Sequence, residues 1–298
     1  MRFHIDPHEP VRHGLKRLVR KECKAALRAL RRDRPLTARA VHSLRKSLKR
    51  IRAVSIVAEQ DNEKALRRLR RRLVRAAGVL SPIRDVDVAR ETLRLIGTEF
   101  PDLLTERTTR TLDLRLRHQR RVLVRAAYED ELLDRIEAPI RELCTALLKW
   151  KARQGGVRGL TPGLEYSHQR ARQAMADAET RGQAADYHLW RKRISTLRYQ
   201  LILLAPPRSQ AEADARTLDT AVTLLGNDHN LVVLTDALKK LEEVSPGLVD
   251  IAHVVRVFSR RSKALRNEAR QIAERICSEE SHAYIRRLTQ ELKRARAT

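Results

Sequence analysis

The chain has 298 residues, of which 42% are apolar, so it can enclose a substantial core in one large or two smaller domains and is not a disordered polycation. Its 63 lysines and arginines outnumber 37 acidic residues, which gives a formal net charge of +26. In a compact protein, such an excess of positive charge causes repulsion between the basic side chains. It therefore predicts an anionic partner: a nucleic acid, a membrane surface or a polyphosphate.

No segment predicts export or membrane insertion. Residues 1–11 lack the apolar stretch of a secretory signal, and the apolar run "LILLA" at 201–205 is far shorter than the roughly 20 residues that span a bilayer. Cys23, Cys144 and Cys277 are widely separated and form no CxxC motif. They predict reduced, mostly buried thiols in a cytoplasmic protein.

Apolar residues recur at the helical spacing of three and four along almost the whole chain, as in Leu66, Leu69 and Leu73. The pattern predicts an all-α protein. Helix breaks are predicted near Pro35 and at 80–85, 100–102, 206–207, 225–228 and 245–247. The strongest interruption is the glycine-rich "RQGGVRGLTPG" at 153–163, which predicts a linker between two halves.

In the first half, "VHSLRKSLKRIRA" at 41–53 predicts a helix with one basic face. At 100° per residue the basic side chains gather on one side, over about 15 Å, and the apolar ones on another. The basic set is His42, Arg45, Lys46, Lys49, Arg50 and Arg52.

The second half repeats this pattern in "YHLWRKRISTLRY" at 187–199. The motif residues recur at an offset of 146 positions, which pairs His42, Arg45, Lys46 and Arg52 with His188, Arg191, Lys192 and Arg198. Ser195 occupies the position that corresponds to Lys49. Two further segments agree with this offset. They pair Leu80, Arg84 and Asp85 with Leu225, His229 and Asn230 at 145 positions, and Arg110 and Arg117 with Arg256 and Lys263 at 146. The chain is therefore predicted to be a duplicated unit of about four helices.

Similar basic faces occur further along each half. They comprise Arg110, Arg117 and Arg121, then Arg256, Arg260, Lys263 and Arg270. A single basic helix face is usually exposed to solvent and has no binding role. Four faces, related in pairs by the repeat, favour a common groove that contacts an anion.

These motifs resemble those of the CHAD family, the conserved histidine α-helical domain. "LSPIRDVDV" at 80–88 and "LLGNDHNLVVL" at 224–234 extend the resemblance, which covers about residues 8–290. It implies a single domain over 1–298, built from two pseudo-symmetric four-helix bundles. Repeat 1 would span about 8–150 and repeat 2 about 164–295, with the linker at 153–163. It also implies a basic surface that binds inorganic polyphosphate, and an association with polyphosphate granules.

The basic faces and the resemblance together give the predicted polyphosphate-binding residues. They are His42, Arg45, Lys46, Lys49, Arg50, Arg52, Arg117, Arg121, His188, Arg191, Lys192, Arg198, Tyr199, His229, Arg256, Arg260 and Lys263. Arg84 and Asp85 match the family's "RD", and Asp85 is predicted to cap the helix that follows. His42 and His188 are either phosphate donors or structural, hydrogen-bonded rings, and the sequence leaves both interpretations open.

Polyphosphate is a flexible chain of charges without bases, which suits the planar fork of arginine and the mobile charge of lysine. Single-stranded nucleic acid would favour aromatic stacking, yet only 3% of the residues are aromatic. The alternative is a sequence-nonspecific nucleic-acid-binding protein that contacts only phosphates. A membrane partner is disfavoured because the basic faces lack a large apolar neighbour.

A metal-dependent polyphosphate-processing enzyme is the less favoured hypothesis. A metal site needs several converging ligands, and the only acidic residue within eight positions of His42 or His188 is Asp186. Asp85 and Asp87 form a DxD pair, but a helix cap is a commoner role for such residues. We predict a binding protein, not an enzyme, without a cofactor or a metal.

Overall fold

The computed structural model of the protein describes residues 3–6, 8–32, 36–59, 64–131, 133–151 and 156–297. These residues are almost entirely helical and include no strand, so the all-α prediction is confirmed. The helices are α1 (Val11–Arg32), α2 (Ala38–Val57), α3 (Lys64–Ala76), α4 (Leu80–Glu99), α5 (Glu106–Glu129), α6 (Asp134–Lys149), α7 (Thr161–Arg181), α8 (Ala184–Leu204), α9 (Gln210–Val244), α10 (Ile251–Ser278) and α11 (Ser281–Ala297). Short 3₁₀ turns occupy Ala77–Val79 and Gly156–Leu160.

Most predicted breaks coincide with helix ends. Helix α4 ends before 100–102, α8 before 206–207 and α9 before 245–247. The predicted break near Pro35 and positions 153–155 of the predicted linker lie outside the described residues. The break at 225–228 is wrong, because α9 continues through it without interruption. A Cβ at Gly226 would lie 3.4 Å from Nη1 of Arg191, which is an ordinary van der Waals contact.

The two helices with the basic motifs begin differently. Thr37 precedes α2, and its hydroxyl accepts a hydrogen bond from the backbone N–H of Ala40 at 3.1 Å. Gly182 ends α7 with a φ of +68°, a left-handed conformation that favours glycine, and α8 starts two residues later. Each device fixes where the basic face of its helix starts.

The helix order follows the predicted offset of 146 positions. Helices α2 and α8 start 146 positions apart, at Ala38 and Ala184, and α3 and α9 start 146 apart, at Lys64 and Gln210. Helices α3 and α4 together correspond to the single helix α9, α5 corresponds to α10, and α6 to α11. The described residues therefore contain five corresponding segments per half (α1 with α7 as the first), where the sequence predicted about four helices.

One pair of arginines shows that the correspondence extends to contacts. Arg120 of α5 donates to Oδ1 of Asp87 at 2.6 Å and to the carbonyl of Leu36 at 2.8 Å. Arg266, its counterpart 146 positions later, donates to Oδ1 of Asp228 at 2.9 Å and to the carbonyl of Gly182 at 3.4 Å. Leu36 and Gly182 are also 146 positions apart. Each arginine therefore ties an equivalent helix to the turn before the basic motif.

The hydrophobic residues form two clusters, and both halves contribute to each. The larger cluster combines α1, α2, α3 and α6 with α7, α8, α11 and the first part of α9. The smaller cluster combines α4 and α5 with the later part of α9 and the first part of α10. The core is thus shared between the halves, and the finer prediction of one four-helix bundle per half is not confirmed.

The cysteines differ from their predicted state. Cys23 of α1 and Cys144 of α6 form a disulfide, with their Cα atoms 6.5 Å apart. The prediction of reduced thiols is wrong for this pair, because packing of α1 along α6 brings together residues 121 positions apart. Cys277 is free and buried, and burial raises the pKa of its thiol to about 12.

Across the described helices, none combines the length and the apolar character required to cross a bilayer.

Candidate functional site

The two helices with the basic motifs pack against each other. Arg52 of α2 donates to the hydroxyl of Thr196 on α8 at 3.0 Å, and Gln200 of α8 donates to the carbonyl of Ala53 at 3.2 Å. Arg52 and Gln200 lie among buried neighbours, so these bonds fix the relative position of α2 and α8. The basic faces of the two halves therefore meet.

Where they meet, four cationic side chains come together: Arg45 and Lys49 of α2, and Arg191 and Lys192 of α8. We call this group the basic cluster. Burial lowers the pKa of Arg191, and the nearby charge of Arg45 lowers it further. Burial also lowers the pKa of Lys192, and among its cationic neighbours Arg191 contributes most to this shift. Neighbouring positive charges at this density favour an added anion.

Lys49 shows the effect of the crowding most clearly. Burial lowers the pKa of its ammonium to about 8, and Arg191 and Arg45 contribute to the shift. Protein surrounds the group closely, yet its side chain remains accessible to solvent. Lys49 is therefore a cation that an anionic ligand could reach and that loses its proton readily in the free protein.

Few carboxylates offset this charge. Asp85 of α4 lies beside Arg45, Arg84 and Arg191, and burial raises the pKa of its carboxyl against the opposite effect of these cations. Asp228, the other acidic group that acts on Arg191, is already bound to Arg266. The predicted capping role of Asp85 is wrong, because α4 begins at Leu80 and Asp85 lies inside the helix.

The three predicted histidines lie near the basic cluster in two different environments. His42 is exposed, and partial burial and the charge of Arg84 lower its pKa. His188 and His229 stack, with ring centroids 4.0 Å apart and planes tilted by 35°. Burial lowers the pKa of His188 to about 3 and that of His229 to about 4, with cationic neighbours adding to both shifts. The stacked pair is therefore neutral at pH 7.

Comparison with protein families matches residues 20–239, well over half of the chain, to the CHAD domain. The chain belongs to the CHAD family. The crystal structure of the CHAD domain from the plant Ricinus communis superposes with a TM-score of 0.62 at 16% sequence identity, over 91% of this chain and 94% of that one. At this identity the match shows a common CHAD fold. No protein of curated function matches the sequence.

Arg50 and Tyr199 were predicted to bind phosphate, but the structure does not bring them to the basic cluster of this CHAD domain. Arg50 pairs with Glu22 at 2.8 Å and lies over the ring of Phe3 at 4.9 Å. Tyr199 is only 7% exposed and packs edge-on against the same ring. Both side chains therefore connect the basic helices to α1 and to the N-terminal segment.

The remaining residues of the two motifs lie at the edges of the cluster. Lys46 is exposed and acts on the charge of His42. Arg198 pairs with Asp219 of α9 and covers the ring of Tyr199 at 4.4 Å. Arg52 is buried against Thr196, so little of it is available to a ligand.

The basic faces of α5 and α10 lie elsewhere, around the smaller hydrophobic cluster. The predicted site residues on them are Arg117, Arg121, Arg256, Arg260 and Lys263, all of them exposed. Arg117 pairs with Asp113 at 2.6 Å. Over the described residues, none of the five is among the charges with the largest effects on the pKa values of the basic cluster. A groove common to all four faces therefore stays a prediction.

Sequence reasoning left out one member of the surroundings. Arg84 acts on the charges of His42, Arg45 and Arg191, although it was not among the predicted site residues. The signal was present, because Arg84 is the counterpart of His229 at 145 positions. Among the residues with described positions, no group of three or more His, Cys, Asp or Glu side chains could hold a metal ion.

Proposed function

We propose that this CHAD protein binds inorganic polyphosphate through the basic cluster and does not process it. The observation that carries the proposal is the meeting of Arg45 and Lys49 with Arg191 and Lys192 across the two halves. Membership of the CHAD family supports the choice of ligand, because polyphosphate binding is a property of that family as a whole.

The electrostatics favour a ligand with closely spaced negative charges. The cations of the cluster lower one another's pKa values, so a bound anion relieves repulsion between several of them at once. Each phosphate can accept two parallel hydrogen bonds from an arginine fork, while lysine contributes a mobile charge. A linear polyphosphate presents many phosphate groups in series, and its binding requires no recognition of bases.

The aromatic residues near the cluster disfavour nucleic acid as the preferred ligand. Tyr199 is buried, and the ring of Tyr187 is covered by Arg266 at 4.4 Å. Tyr199 therefore offers no free face on which a base could stack, and a guanidinium already occupies one face of Tyr187. Such stacking is worth roughly 1–3 kcal/mol per base. Binding of RNA or DNA through phosphates is then the weaker mode of the same site.

The test is a competition between long-chain polyphosphate and single-stranded RNA, matched in total phosphate, for the purified protein at moderate salt. We expect polyphosphate to displace RNA with at least about tenfold preference, since stacking does not contribute. RNA binding that equals or exceeds polyphosphate binding would establish the nucleic-acid alternative.

A second assay addresses catalysis. Incubation with long-chain polyphosphate and magnesium or manganese should leave the chain length unchanged on a gel. Shortening that depends on the metal and disappears in His42→Ala would contradict the proposal of a non-enzymatic protein.

We further propose a location at polyphosphate granules, as the family resemblance implies. A fluorescent fusion should colocalise with granules, and the variant Arg45→Glu/Lys49→Glu should become diffuse. A wild-type fusion that does not colocalise with granules would refute this location, but it would not affect the proposal of binding in solution.

A further inference from the structure

A pocket of about 520 Å³ lies between α9 and α10. Phe258 and Leu231 give it an apolar wall, and Thr235, Ser259 and Lys263 are among its polar residues. Its volume is in the range that holds a small organic molecule. Tyr187 lines the pocket, whereas its neighbour His188 stacks on His229 near the basic cluster.

The repeat supplies an internal comparison for this pocket. Residues of α10 correspond to residues of α5 at 146 positions, a register that the equivalent bonds of Arg120 and Arg266 support. Residues of α9 correspond to residues of α4 at 145 positions, and buried residues match in this register, as Leu93 does with Leu238. The counterparts of Thr235, Ser259 and Lys263 are therefore Arg90, Asp113 and Arg117.

In the first half these counterparts fill the space. The carboxylate of Asp113 accepts a hydrogen bond from Arg90 at 2.8 Å and pairs with Arg117 at 2.6 Å. Burial tends to raise the pKa of Asp113, but its bonds to the two arginines outweigh this and lower it. A carboxylate held by two cations thus occupies the position between α4 and α5.

In the second half the carboxylate is missing and one cation remains. Ser259 replaces Asp113, and the small Thr235 replaces Arg90, which opens the pocket. Ser262 replaces the buried Leu116 and adds a hydroxyl to the lining. Lys263 replaces Arg117, and no carboxylate of the described residues lies within ion-pair distance of it.

We propose that this pocket is a second, separate binding site, which takes a small hydroxyl-bearing phosphate such as a sugar phosphate. The phosphate occupies the place that the carboxylate of Asp113 has in the first half, and pairs with Lys263 and with Lys239, which also lines the pocket. Asp236 and Asn267 also line the pocket, and their side chains would bond ligand hydroxyls. The carboxylate of Asp236 repels a ligand that is anionic along its whole length, which distinguishes this site from the basic cluster.

The experiment titrates ribose 5-phosphate into the protein by calorimetry, with inorganic phosphate and ribose as separate probes. We expect one site per chain and at least tenfold tighter binding of ribose 5-phosphate than of either probe, because both kinds of group contribute. The variant Thr235→Arg/Ser259→Asp rebuilds the filling of the first half and should abolish this binding. Failure of ribose 5-phosphate to bind the wild-type protein overturns the proposal.

Two further variants separate the proposal from folding defects and from polyphosphate binding. Lys263→Ala changes only an exposed side chain of α10 and should weaken ribose 5-phosphate binding about tenfold. Lys240→Gln, which changes an exposed lysine of α9 outside the pocket, should not. Arg45→Glu/Lys49→Glu should retain ribose 5-phosphate binding while losing polyphosphate. If long polyphosphate displaces ribose 5-phosphate in that variant as well, the pocket is part of a polyphosphate path and the proposal of a separate site is wrong.

Discussion

The basic faces of α2 and α8 occupy equivalent positions but differ in charge. On α2, the exposed His42 lies near Arg84, and Lys49 reaches the centre of the basic cluster. On α8, His188 stacks on His229, the counterpart of Arg84, and Ser195 stands in place of Lys49. Duplication has thus preserved the geometry of the site while the second half has lost two cations.

The arginines at the ends of the two motifs differ as well. Arg52 bonds to Thr196 inside the helix pair, whereas its counterpart Arg198 pairs with Asp219. Equivalent positions in a repeat can therefore carry unequal parts of a function. We expect the first half to supply more of the binding free energy for an anion than the second.

Charge reversal at two positions of α2 should have the largest effect. Arg45→Glu/Lys49→Glu should weaken long-chain polyphosphate binding by at least about a hundredfold, because two charge-assisted contacts become repulsive. Arg191→Glu/Arg198→Glu should cost roughly tenfold, since the charge of Arg198 is already offset by Asp219. Fluorescence anisotropy with labelled polyphosphate measures both, and circular dichroism checks the fold. Equal losses from the two pairs would show that the halves contribute alike.

Lys49 should make binding depend on pH. The free group, with its pKa lowered to about 8, is protonated below that value and loses its charge as the pH rises through it. A bound anion stabilises the protonated form, so affinity should fall by about tenfold between pH 7 and pH 9.5. Lys49→Arg should bind with little change over the same range, and Lys49→Ser should bind weakly throughout. A pH profile of Lys49→Arg as steep as that of the wild type would assign the titration to another group.

Restoring the lost lysine of the second half should have a smaller and opposite effect. Ser195→Lys adds a fifth cation beside the cluster, so polyphosphate affinity at low salt should rise about threefold to tenfold. The slope of log affinity against log salt should steepen by about one, by analogy with counterion release. The free protein should become less stable to heat, because the new charge repels its neighbours. Unchanged affinity and salt slope would place position 195 out of reach of the ligand.

The smallest effect concerns stability in acid. The pKa values of His188 and His229, near 3 and 4, lie below their unfolded value of 6.5, so the unfolded chain binds more protons between these limits. Their contribution to stability is complete above pH 6.5 and declines as the pH falls towards 4. His188→Gln should reduce this decline by about 2–4 °C in Tm, measured between pH 7 and pH 4.5. His42→Ala, in the open environment of the first half, should reduce the decline of Tm less than His188→Gln does. A larger reduction by His42→Ala than by His188→Gln would contradict the assigned environments.

Periodicity in the sequence was sufficient to predict the helices, the repeat and the basic faces of α2 and α8. It could not predict which helices are neighbours, because the apolar face of a helix does not determine which other helix packs against it. The faces around Arg117 and Arg260 therefore looked equivalent to those that meet at Arg45. The disulfide between Cys23 and Cys144 was missed for the same reason, because it depends on the packing of α1 along α6.

Glycine was the other source of error. The sequence "LGND" predicted a break because glycine is a poor helix former, yet α9 continues through Gly226. A local propensity of about 1 kcal/mol is small beside the packing of a long helix on two cores.

The length of α9 has a consequence for how the molecule opens. With 35 residues it extends for about 52 Å, and its apolar residues belong to both hydrophobic clusters, with Leu218 in the larger and Leu238 in the smaller. Its counterparts α3 and α4 are separated by the turn at Ala77–Val79. In hydrogen exchange, the amides on both sides of Gly226 should therefore become labelled together, as one cooperative unit, whereas α3 and α4 should open at separate rates.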